Sequence, residues 1–143
     1  MKEQLILRHL LNDDNYARRI LPYLKPEYFA DRIEKTIYEQ IDSFIQKYNS
    51  LPTKEALVLE LDSKSHLTDK EFSDCGEYIS SLSVDQPEDQ EWLIKKTEEF
   101  CQEKAVYNAI MESISILDAT GKEDRDKGAI PELLSEALSV SFD

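Results

Sequence analysis

The segment Asp124-Arg125-Asp126-Lys127-Gly128 puts carboxylates at alternate positions ahead of a glycine, which is how a calcium loop begins. Such a loop needs oxygen ligands at its first, third and fifth positions, glycine at the sixth and a distal glutamate. Here glycine already stands fifth, so the plainer reading is a solvated hairpin turn. Asp85, Glu88, Asp89 and Glu91 form a second acidic cluster. Acids collect at helix starts because the macrodipole favours negative charge there, and that reading is sufficient. His9 and His66 each stand without another His or Cys at metal-ligand spacing. His9 reads as a packed or edge side chain, and His66, ahead of a capping motif, as solvated. Cys101 sits beside Phe100 among Glu98, Glu99 and Glu103. Negative neighbours disfavour a thiolate, so it makes a poor nucleophile.

A phosphate cradle needs glycine-rich backbone. The glycines at 76, 121 and 128 are scattered, and no GxxxxGK[ST], GxGxxG or GxSxG is present. The expected catalytic, cofactor-binding and metal-ligand sets are therefore all empty. Arg18, Arg19, Lys25, Arg32 and Lys35 make the one basic concentration, around Tyr16, Tyr23, Tyr28 and Phe29. That mixture could touch DNA or an acidic partner. Glu27, Asp31 and Glu34 alternate with the basic residues, so solvated positions between core aromatics are the simpler account.

The 143 residues carry 17 basic and 30 acidic groups, a net charge of −13. This average field repels a phosphate backbone. The chain is long enough to bury a core without staples. It is 41% hydrophobic, with seven Tyr and five Phe, which is too apolar for a disordered chain. Its few glycines and prolines argue against an all-β sandwich or barrel. No apolar run spans a membrane, and the N-terminus has no secretory h-region. The distant Cys75 and Cys101 suit two buried thiols in a reducing cytoplasm.

The elements expected are all helical. Leu5, Ile6 and Leu10 share a face over Lys2–Leu11, and Asn12, Asp13 and Asp14 can cap a second helix to about Leu21. Pro26 suits a first helical position. Ile33, Ile37, Ile41, Phe44 and Tyr48 predict an amphipathic helix over Asp31–Tyr48. Asn49-Ser50-Leu51-Pro52 ends it, and Thr53 caps the next, to about Leu61. Thr68 and Glu71 form a capping box ahead of Phe72, Cys75, Ile79 and Leu82.

After a linker at Ser83–Pro87 the pattern changes. Glu88 to Asp118 has neither Gly nor Pro. Leu93, Thr97, Phe100, Lys104, Tyr107, Met111 and Ile114 follow a heptad-like seam. Such a helix is roughly 45 Å long, against about 18 Å for a final helix opened by Ile130-Pro131, with Leu133, Leu134, Ala137 and Leu138 inward. The fold expected is all-α: a compact helical head, residues 1–85, then an antiparallel helical hairpin with one long arm, residues 86–143. Charge divides too, with −2 over residues 1–71 and −11 over 72–143. The ending Ser141-Phe142-Asp143 reads as a cut before a linker to a further domain.

A short partner helix cannot cover the long arm, so the remainder must meet the head or another chain. Two hairpins around a two-fold axis solve this. The subunit-interface candidates are Trp92, Phe100, Tyr107, Met111, Ile114, Leu134 and Leu138. Aromatic anchors dominate such contacts. A stand-alone acidic adapter, or a DNA mimic on a basic partner, is the alternative. A carboxylate–metal enzyme is a third reading, for which no ligand spacing appears.

Ordered motifs carry a further signal. Leu10-Leu11-Asn12-Asp13 is followed by Leu24-Lys25-Pro26-Glu27-Tyr28-Phe29, then Ile37-Tyr38-Glu39-Gln40-Ile41, Ser50-Leu51-Pro52-Thr53 and Leu59-Glu60-Leu61. This order resembles the N-terminal domain of DnaB-type hexameric replicative DNA helicases. Pro87-Glu88-Asp89, Trp92-Leu93, Gly128-Ala129-Ile130-Pro131 and the stretch Ala137 to Asp143 are similar to the T-even bacteriophage branch. The resemblance implies a collar, itself not an enzyme, of a ring helicase moving 5′ to 3′ on single-stranded DNA. ATP and Mg would belong to a RecA-like motor domain beyond this chain. It also implies pairing into a dimer or a trimer of dimers, docking of primase and of a helicase loader, no membrane partner, and the cytoplasm of an infected bacterial host.

Overall fold

The computed structural model describes residues 1–118 and 126–143. The expected turn between the last two helices, and the calcium-like Asp124-Arg125 start, fall on residues 119–125, outside the described residues. Every regular element among the described residues is helical, so the chain is all-α. It divides into two compact units, Met1–Ile94 and Lys95–Asp143.

The first unit opens with α1 (Lys2–Asn12) and α2 (Asp14–Ile20). Asp13 separates them because its extended backbone stops α1 while its carboxylate accepts the Tyr16 N–H and caps α2. The second Asp13 oxygen accepts from Gln90 Nε2 at 2.8 Å, which ties the cap to a residue far along the chain. Two short 3₁₀ turns, Leu21–Tyr23 and Pro26–Tyr28, carry their prolines at the first or second position, where a missing N–H costs nothing.

Helix α3 (Arg32–Tyr48) is capped by Asp31 and ends at Asn49 in the left-handed region, with φ 54°. Asparagine tolerates that backbone better than most side chains. Arg18 fixes it by donating to both the Asn49 side chain and its carbonyl, each at 2.9 Å. Helix α4 (Lys54–Asp62) starts on the Thr53 cap, and α5 (Asp69–Ser80) on the complete Thr68–Glu71 capping box.

The core of this unit joins Ile6, Leu7 and Leu10 of α1 to Ile37 and Ile41 of α3, Leu57 and Leu61 of α4, and Cys75 and Ile79 of α5. Phe29 stacks on Tyr38 with ring centres 4.9 Å apart, and the Tyr38 hydroxyl donates to the Leu24 carbonyl. A buried phenol needs such a partner. His9 is a core residue, 2% exposed; its Nδ1 donates to the Leu5 carbonyl one turn back.

Glu71 has a second role. The Arg32 guanidinium and then the Thr68 backbone N–H hold its carboxyl at about 2, well below the ordinary 4.5. A carboxylate whose folded value lies below its unfolded one contributes stability fully above the unfolded value, and that contribution fades as pH falls toward the folded one. Urea midpoints should therefore fall as pH drops from about 5 to about 2. Glu71→Gln should flatten that part of the slope. An unchanged slope in the variant would remove Glu71 from the account.

The second unit contains most of α6 (Gln90–Leu117), then a 3₁₀ turn (Lys127–Ala129) and α7 (Ile130–Leu138). Asp89 caps α6 by accepting the Trp92 N–H at 3.0 Å, which places one member of the acidic cluster in a structural role. At 1.5 Å per residue, the 28 residues of α6 extend about 42 Å and the nine of α7 about 14 Å. On α7, Ala137 is buried and Leu133 and Leu134 are half-buried. Leu138 does not turn inward as its spacing predicted: it is 73% exposed. It is the last residue of α7, where the helix gives way to a turn at Ser139.

Candidate interaction surface

Much of the burial along α6 follows one row of side chains, with Ile94, Phe100 and Ile116 buried beside it. Leu93, Thr97, Cys101, Ala109 and Ser113 are buried, with Ala105 half-buried between them. These residues are four apart, and the row they form winds about 40° around the axis at each step, as an i±4 ridge does. The heptad-like seam stays near one side instead. The two coincide from Leu93 to Phe100 and then part.

Beyond that point the seam residues lie in the open. Tyr107 is 60% exposed, Met111 47% and Ile114 53%. Ile110 and Leu117 join them. The five side chains form a continuous apolar stripe on one face of the helix, at spacings that place neighbours one turn apart. The face opposite holds Ala109, Ser113 and Ile116, which are buried. This end of α6 is thus apolar on both sides, with one side covered. An exposed apolar stripe of this length makes this face a candidate contact surface.

The interface candidates separate accordingly. Trp92, Tyr107, Met111, Ile114 and Leu138 are exposed, and Leu134 is half-buried. Phe100 differs: it is 0% exposed, with the Lys104 ammonium 5.8 Å from its ring centre. It lies where the seam and the buried ridge still coincide, and its ring is core of this chain.

The remaining candidates take structural or solvated places. Arg18 pairs with Asp14 at 2.8 Å and Arg32 with Glu71, while Arg19, Lys25 and Lys35 point to solvent. His66 is exposed. Among the described residues no three His, Cys, Asp or Glu side chains come together as a metal site, and no helix is long and apolar enough to cross a membrane.

One feature was hidden from the sequence. Asp31 and Glu34 of the α3 start and Asp74, Glu77 and Tyr78 of α5 line an open acidic groove. Tyr78 donates to Glu34 at 2.5 Å. Partial burial, first, and the neighbouring acids raise the Glu34 carboxyl above its ordinary value. The two halves of the groove lie some forty positions apart, and no spacing rule joins them.

Both thiols are buried. Burial, then the Glu71 and Asp74 charges, raises Cys75, and burial, then Glu98, pushes Cys101 up to about 12. A thiol held this far above neutrality is almost wholly protonated and slow to react. A disulfide reagent at neutral pH should label neither in the folded chain and both in urea. Rapid labelling of the native protein would place at least one thiol in an exposed environment.

No family model matches the sequence. The DnaB-like replicative helicase of Enterobacteria phage T4 is 37% identical over a 147-residue alignment that takes in 98% of this chain. The chain spans 30% of that relative's length. The similarity reaches both units, including the long helix and its exposed stripe. The chain is thus similar, over nearly its whole length, to one segment of that DnaB-like replicative helicase.

Proposed function

We propose that the chain is the N-terminal collar of a hexameric replicative DNA helicase moving 5′ to 3′ on single-stranded DNA. In this reading the second unit pairs subunits, as a dimer or within a trimer of dimers, and the collar docks primase and a helicase loader. The observation that carries it is the exposed stripe Tyr107, Ile110, Met111, Ile114 and Leu117 on a chain that matches a replicative helicase over nearly all its length. Trp92, Leu134 and Leu138 extend the contact, and Phe100 supports it from inside.

The collar contributes assembly and recruitment. Its glycines are scattered and its sequence has no GxxxxGK[ST] phosphate-cradling motif. ATP and Mg belong, in this reading, to a motor domain outside the segment. The charge of −13 gives the collar a surface for a basic partner and disfavours DNA on its outer face.

Two measurements test this. Sedimentation equilibrium of the chain should show reversible self-association. Binding to a primase from the same source should be measurable, and should weaken as salt is raised, because exposed charge pairs are screened. A chain that stays monomeric at every concentration and ignores primase would overturn the collar. Primase binding that is indifferent to salt would retain the docking and remove its electrostatic basis.

A further inference from the structure

After α7 the chain leaves the helix and meets α6 at two points. Gln102 Nε2 donates to the Val140 carbonyl at 3.0 Å, and the Phe142 N–H donates to Glu98 Oε2 at 2.8 Å. Both contacts lie within the second unit. Glu98 and Gln102 stand one helical turn apart, about 6 Å along the axis. Residues 140 and 142 are two apart in the segment outside α7, so two side chains one turn apart on α6 hold two nearby points of the tail.

The grip reads backbone only. A carboxylate receives an N–H and an amide donates to a C=O, the complementary pair that a main chain offers. The Phe142 contact is charge-assisted, hence the stronger. These bonds also join the C-terminal end of α7 to α6.

We propose that residues 139–143 are a latch: a strap, clamped by Glu98 and Gln102, that closes the α6–α7 pair. With the latch shut, α7 is held by its packed face and by the strap. With it released, only the face of Leu133, Leu134 and Ala137 holds it, and it opens as a local unit, ahead of the rest of the fold. The inference concerns this chain's own hairpin and does not depend on the helicase reading.

Amide hydrogen exchange, followed by mass spectrometry on the full 143-residue chain, tests it. The doubly substituted Glu98→Ala/Gln102→Ala chain should exchange at least about tenfold faster across α7 and the strap, with α1–α5 unchanged. Glu98→Gln keeps an oxygen that can accept the Phe142 N–H, so alone it should leave α7 within about twofold of the parent. Unchanged exchange in the double variant would overturn the latch. So would an equal acceleration across α1–α5, because that would report general loss of stability. A Glu98→Gln chain as fast as the double variant would also overturn it, since the effect would then follow charge and not the clamp.

Discussion

Phe100→Asp should cost the chain on the order of 5 kcal/mol or more and remove a large part of its helical signal. Phe100 is wholly buried, so the change removes a packed ring and leaves an unpaired carboxylate in its place. Truncating a buried Phe costs about 3–5 kcal/mol, and an uncompensated buried charge costs a similar amount. The whole stability of a small domain is about 5–15 kcal/mol. The Lys104 ammonium near the ring does not rescue the variant, because it is half-exposed and its pairing with a new carboxylate is worth little. Phe100→Leu should be tolerated far better, at about 1–1.5 kcal/mol. Far-UV circular dichroism with urea titration separates the two. If Phe100→Asp keeps the parent's helicity and midpoint, the ring is not a core residue.

The head was largely legible because its signals are local. Asp13, Thr53 and Thr68 each cap a helix through their own side chain and were readable from their places before periodic stretches, while Asp31, counted as the first residue of its helix, is in fact its cap. The Ile37–Ile41 stripe of α3 was legible for the same reason. The acidic groove was not, since α3 and α5 come together only through the folded core.

The long helix shows a different limit. Large apolar residues mark a seam, and the sequence reading followed them from Leu93 to Ile114. Burial instead followed an oblique ridge through Ala105, Ala109 and Ser113, whose small side chains carry little hydrophobic signal. Small residues permit close approach, whereas large exposed ones need a partner to cover them. The same list of apolar residues therefore contained a core position, Phe100, and a surface stripe, Tyr107 to Leu117. Only the helix's surroundings tell them apart.

Met111→Asp is the complementary experiment, with the opposite pattern expected: full helicity and lost association. Met111 is near the middle of the stripe and already 47% exposed in the single chain, so an Asp there meets water and not a core. Its cost to α6 is a helix-propensity difference of about half a kcal/mol. In a two-fold contact the same change occurs twice. Each copy loses about 1.5–3 kcal/mol of side-chain burial and gains a charge that must be stripped of water. Taken together, about 6 kcal/mol is a modest total, and it weakens pairing by roughly four powers of ten. Salt adds an independent sign. Two copies of a chain at −13 repel, so screening should tighten the parent's self-association even as it loosens a contact with a basic partner. Sedimentation of the parent and the variant across salt concentrations reads both effects. A variant that associates like the parent would move the subunit contact off the Tyr107–Leu117 face and leave that stripe to another partner.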